Sequence, residues 1–144
     1  MNKKAETFKS YLDEQKIEGV FKVEELEDEF DTVIYRSQLD INGNKLPTAV
    51  IFDKSVYGMI RILVAPKVMT EKNQLEVLRL LDSYNRRYKA IKYYIDEAGS
   101  LILDVCLISS DEEESVGEMV YAMFDVIIRH LNEAYKDIMH SIWA

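Results

Sequence analysis

Cysteine, proline and glycine are nearly missing from this chain: one, two and five residues in 144. A single thiol, Cys106, excludes a disulfide within the chain and suits a reducing compartment. So little proline and glycine excludes collagen-like, linker-like and low-complexity architectures. No stretch of about twenty apolar residues runs unbroken, so no membrane span is expected. Positive charge is also scarce, with 18 Lys and Arg against 26 Asp and Glu and a formal net charge of −8. Nucleic-acid backbones are held mainly by Lys and Arg that displace counterions. An acidic chain repels them unless its cations are segregated on one face, and its field favours solubility or a basic partner. The opening residues, MNKKAETFKSYL, have two lysines with no apolar run after them, so no secretory signal is expected. These absences describe a soluble cytoplasmic protein.

What remains is an ordinary globular balance, 48% hydrophobic and 31% charged. The length fits one domain, residues 1–144, able to bury roughly 70% of its unfolded surface. Asn2 can cap a helix over Lys3 to Lys16, where Ala5, Phe8 and Leu12 keep helical spacing and Gly19 marks the end. Val20 to Phe30, with its EELEDE run, reads either as a turn of helix or as a loop. From Asp31 the period becomes two: Val33, Tyr35, Leu39 and Ile41 alternate with Arg36, Gln38 and Asp40. Asn42-Gly43 supplies a tight hairpin turn. The return strand runs from Leu46 to Asp53, and Pro47 near its start marks an edge. A third strand, residues 59 to 65, follows Gly58 and closes at Pro66. Thr70 can then cap a second helix on Leu75, Leu78 and Leu81, with Arg86 and Arg87 complementing its C-terminal dipole. Residues 89 to 95 and 101 to 108 make a hairpin around Asp96-Glu97-Ala98-Gly99.

The last helix says most. Ser110 and Glu113 fit a capping box, and Asp111 to Glu114 set negative charge on its N-terminus. One apolar row is Val116, Val120, Met123, Ile127, Leu131, Ala134, Ile138 and Ile142. A second row, one residue over, is Tyr121, Phe124, Ile128, Tyr135, Met139 and Trp143. From Asp111 to Ile142 the helix would be roughly 48 Å long. Five strands make a sheet only about 24 Å wide. The excess must meet another helix, another subunit or a partner. The second row is therefore the candidate protein-contact surface, with Tyr93 and Tyr94 added from the hairpin.

Other motifs are weighed against plainer readings. Arg79, Arg86, Arg87, Lys89 and Lys92 with Tyr88, Tyr93 and Tyr94 have the residue types of a base-stacking surface. A hairpin explains the same positions, and tyrosine is an ordinary strand residue, so no nucleic acid is expected. Cys106 is expected as a buried or half-buried structural thiol. His130 and His140 lack the i, i+4 spacing of helical zinc ligands, and a surface or interface role is expected for both. Asp40, Asp53, Asp96 and Asp104 are scattered. DEEE at 111 to 114 lacks the alternating ligands and central glycine of a calcium loop. Neither phosphate-loop, dinucleotide nor nucleophile-elbow motifs occur. No catalytic residue, cofactor or metal is expected.

The segment LRLLDSYNRRYKAIKYYIDEAGSLILDVCLIS, residues 78 to 109, resembles the YbjN family, whose fold is similar to that of type III secretion chaperones. Asn85, Asp96 and Gly99 carry the local match, and the order helix, three strands, helix, two strands, long helix extends it. The resemblance implies a bacterial α+β protein that dimerises or holds a peptide. Family members are described as sensory transduction regulators, and no catalytic residues come with them. The expectation is a non-enzymatic homodimer binding a protein segment. The rivals are a small-ligand site or enzyme assembled from distant Asp, Arg and Tyr side chains, and an RNA-binding module.

Overall fold

A computed structural model describes residues 1–144. The elements are α1 (Lys3–Glu14), a 3-10 turn (Glu18–Val20), β1 (Lys22–Glu25), β2 (Val33–Ile41), β3 (Asn44–Phe52), β4 (Tyr57–Ala65), α2 (Gln74–Arg87), β5 (Lys92–Ile95), β6 (Leu101–Ile108) and α3 (Val116–Trp143). The fold is α+β, and the expected order of elements is present with one strand more. All six strands form one antiparallel sheet in the order β1-β2-β3-β4-β6-β5. The extra strand comes from the segment left open between helix and loop. Every residue of β1 is exposed, so no buried face imposes a period of two on its sequence.

Register and parity decide which face is covered. Tyr35, Val50, Ile60 and Val105 lie opposite one another across β2, β3, β4 and β6, and all are buried. α1 sets Phe8 against Tyr35 and Phe52, and α2 sets Tyr84 against Tyr93. α3 contributes Phe124 against Phe21 and His130 against Tyr93. All three helices thus share one face of the sheet. On the other face runs the row Ile34, Ile51, Met59, Cys106, followed by Arg36, Ala49, Arg61, Asp104, Lys92. No element covers it.

Local chemistry fixes the corners. Asn42 and Gly43 both have positive φ, 49° and 80°, as the two-residue turn between β2 and β3 requires. Pro47 fits because β4 pairs with β3 only from Thr48 onward, so Asn44 to Pro47 is indeed an edge on that side. Asn2 caps α1 by accepting the Ala5 N–H and ties it to the sheet by donating to the Asp31 and Phe52 carbonyls, each at 2.9 Å. Lys4 is 1% exposed, and its ammonium donates to the Tyr57 carbonyl at 2.7 Å and to that of Ser55. Burial lowers its pKa.

Several helix boundaries differ from expectation. α1 ends with Lys16 in the left-handed region at φ 58°, and Gly19 lies further on in the 3-10 turn. α2 starts at Gln74: Thr70 and Asn73 exchange side-chain-to-backbone bonds before it, and Asn73 rather than Thr70 is its cap. Its buried stripe is Val77 and Leu81, while Leu75 and Leu78 are exposed. α3 starts at Val116, not Asp111, because the Ser109 N–H still bonds to Val56 and the chain needs residues 110–115 to reverse. The Ser110–Glu113 box does not form; the Glu113 carboxylate accepts from the Ser115 N–H instead.

α3 nonetheless runs 28 residues without a break, about 42 Å. Its first row is buried except for half-buried Met123. The excess length is met at both ends by helices. At the start Tyr11 of α1 lies on Gly117, where an added Cβ would come within 2.1 Å of its ring. At the far end Asn73 donates to the Ile142 carbonyl at 3.1 Å and to that of Val68 at 2.9 Å. Gly117→Ala should therefore cost about 1–3 kcal/mol through overpacking, lowering the melting temperature by several degrees. In a Tyr11→Ala background the same change should turn neutral or stabilising, because alanine is the better helix former by up to about 1 kcal/mol. Thermal melts of the four proteins check the reversal of sign.

Candidate functional site

The second row of α3 meets the sheet at a cleft. Tyr121, Phe124 and Ile128 form one wall; Val20 and Phe21, from the turn and the start of β1, and Leu39 of β2 form the other. Ser37, Gln38 and Asp125, with buried Thr48, supply the polar lining of a space of about 300 Å³. Phe124 is buried, stacked on Phe21 at 6.5 Å between centroids, with Tyr121 edge-on to it at 5.3 Å. Burial, with Tyr11 close by, raises the Tyr121 pKa, so its phenol stays a neutral hydrogen-bonding tip on an apolar wall. Asp125 pairs with Arg129 one turn on.

The remaining contact candidates separate. Tyr135 and Met139 continue the row half-buried against the core, and Trp143 stands 71% exposed at the end of α3. Tyr93 is 3% exposed and belongs to the core, so it offers no contact surface. Its neighbour Tyr94 points to the opposite face, as strand alternation requires. Val20, Phe21 and Leu39 were missed as cleft residues. The signal was present in the Val20-Phe21 pair that opens an otherwise acidic stretch.

His130 overturns its expected surface role. It is 5% exposed and ringed by Tyr84, Tyr88 and Tyr93 at 5.1, 4.5 and 5.6 Å. Its Nε2 lies 2.6 Å from the Tyr93 hydroxyl, and its Nδ1 has no partner. Three tyrosines from α2, the α2–β5 link and β5 make this a satisfied-on-one-side aromatic cage. Burial, with Arg87 adding to it, lowers the His130 pKa despite Glu133, and burial raises that of Tyr93. His140 remains exposed.

On the uncovered face three side chains converge. Arg61 donates both Nε and Nη2 to Asp104, each at 2.9 Å, and the Tyr94 hydroxyl donates to the same carboxylate at 3.1 Å. Asp104 is buried, and the ion pair holds the Arg61 pKa above its ordinary value. Burial and Asp104 raise Tyr94. Both shifts move the pKa further above neutral pH, holding Arg61 charged and Tyr94 neutral, which suits a structural clamp better than proton transfer. Cys106 lies exposed on this face, against expectation, because it shares the side of β6 that carries Asp104 and that no helix covers. Arg79, Arg86, Arg87, Lys89 and Lys92 are exposed, but Tyr88 packs on His130 and Tyr93 is interior, so the stacking half of a nucleic-acid surface is missing.

His, Cys, Asp and Glu side chains nowhere gather into a group of three fit for a metal, and no helix is long and apolar enough to cross a membrane. No protein-family model matches this chain, and no curated protein matches it either.

The buried histidine sets a pH dependence. With a folded pKa below 6.5, His130 is neutral in both states above that pH. Below it the unfolded chain takes up a proton that the folded one refuses, so stability is lost as the pH falls through and below 6.5. Thermal melts between about pH 8 and pH 5 should show the fall, and His130→Phe should flatten it while lowering the melting temperature at every pH. An unchanged slope in the variant would assign the acid sensitivity elsewhere.

Proposed function

We propose that this chain is a non-enzymatic, cytoplasmic protein-binding module of YbjN-like plan, acting as a homodimer that holds a protein segment by an apolar side chain. The cleft under α3 carries this reading. Its walls are mostly aromatic and aliphatic, and its volume is at the low end for a binding pocket, room for one or two large side chains. Desolvated aromatic pockets of this kind supply most of the binding energy in protein interfaces. The net charge of −8 favours a segment with Lys or Arg beside its anchor. Apolar side chains left in water elsewhere, Ile108, Tyr57 and Trp143 among them, support a second protein surface.

A second reading rests on one observation. Arg61, with Asp104 and Tyr94 beside it, borders a groove of about 410 Å³ that also takes in Arg36, Asp96 and Ser100. Two guanidinium groups beside one groove would favour a small anion. The weakness of this reading is charge: Asp104 already matches Arg61, and Glu24 lies 3.4 Å from Arg36.

An array of short synthetic peptides tests the first reading. Peptides with a large apolar residue next to Lys or Arg should bind, and acidic controls should not. Ile128→Arg should weaken the binding about tenfold or more, the cost of filling a hot-spot pocket with charge. Arg61→Met should leave it unchanged. Binding that is indifferent to Ile128→Arg, or no preference over acidic controls, would remove the cleft from the argument.

A further inference from the structure

The edges of the sheet are not equally protected. An open edge presents unpaired N–H and C=O groups and invites another strand, so folded chains guard it with charge, short length or a covering group. β1 is short and reads Lys-Val-Glu-Glu. β5 is covered by a side chain: Asn85 accepts the Tyr93 N–H at 2.7 Å and donates to the Tyr93 carbonyl at 3.0 Å. β6 is different. β5 pairs with it only up to Asp104, and Val105 to Ile108 continue with β4 on one side alone.

Antiparallel pairing turns successive residues to opposite neighbours. The Ser109 N–H reaches Val56 on the β4 side, so residues 107 and 105 bond that way too, and Cys106 and Ile108 turn their N–H and C=O outward. Neither has a backbone partner there. The sequence at this edge, Val-Cys-Leu-Ile, has no charge and no proline. Ile108 is 75% exposed on the uncovered face, beside Tyr57.

We propose that a second copy of the chain adds to this edge, β6 against β6 about a two-fold axis at Leu107. The inference rests on the homodimer reading above and names its surface. Cys106 then pairs with Ile108 of the partner subunit, and the reverse, so each outward N–H and C=O of both copies is matched. On the uncovered face Tyr57 and Ile108 run on into Cys106 and Met59 of the partner subunit as one apolar strip. Charge favours a second copy over a foreign strand. The exposed acidic turn beginning at Asp111 leaves β6 where the partner's β5 begins, beside Lys89 and Lys92 of the partner subunit, which are also exposed. So short an overlap makes a dimer that depends on concentration and weakens with salt.

Light scattering over rising protein concentration, with cross-linking through Cys106, tests this. A bis-maleimide with an arm of about 8 Å matches the diagonal cross-strand spacing between the two Cys106 thiols. The native chain should double in mass and be trapped as a cross-linked dimer. Ile108→Lys, at a site already in water, should read as a monomer with an unchanged circular dichroism spectrum and melt, and Trp143→Ala should stay dimeric. A dimer that survives Ile108→Lys, or that resists the cross-linker, overturns the β6 edge and leaves the homodimer reading standing. A native chain that is monomeric at every concentration overturns both.

Discussion

One sheet covered on one side is the constraint from which the rest follows. With a period of two, covering a single face assigns every strand residue to a core of helices or to an open surface. Tyr35, Val50, Ile60, Val105 and Tyr93 go inward because α1, α2 and α3 all lie beneath them. Ile34, Ile51, Met59 and Cys106 go outward for the same reason; no helix lies over them, and neighbouring side chains cover Ile34 fully and Ile51 and Met59 in part. The sheet contributes both the floor of the core and an open face on which Cys106, Ile108 and Tyr57 are exposed.

The long helix answers to that constraint. Its first row is consumed by the sheet, and at about 42 Å it outreaches a six-stranded sheet of about 29 Å. α1 closes one overhang through Tyr11 on Gly117, and Asn73 closes the other through Ile142. What the helices do not close is the flank, and there the second row stands half-buried above β2 with a cleft beside it. The cleft is thus the residue of a packing problem: two apolar stripes on one rod, with cover enough for one.

What could be read from the sequence was whatever local chemistry decides. Asn42-Gly43 needs positive φ and has it; Gly99 closes the β5–β6 turn at φ 81°; the first row of α3 is core because its spacing allows little else. What could not be read is settled by neighbours distant in the chain. β1 shows no alternation because it has no buried side. His130 looks like a surface residue on a helix until tyrosines from three segments close round it. Cys106 and Tyr93 sit in strands where one charged residue each, Asp104 and Lys92, is the sole mark of the open side, too slight a signal beside so many apolar neighbours. Within the candidate site, Tyr121, Phe124 and Ile128 were visible from periodicity, whereas Val20 and Phe21 arrive only when β1 joins the sheet.

The cleft and the unguarded edge occupy different parts of the sheet. The cleft opens by β1 and β2, and the bare stretch of β6 lies beyond β3 and β4, three strand spacings or roughly 14 Å from β2. In the dimer proposed above, pairing through β6 would turn the two clefts outward from the axis and obstruct neither. One extended segment with two apolar anchors, or two segments on one partner, could engage both at once. The second contact would then be made at the high effective concentration that a rigid twelve-stranded sheet imposes, and two modest pockets would hold as one firm grip. If the cleft holds a peptide as proposed, one this small would need such help, since one or two buried side chains seldom hold a peptide firmly alone.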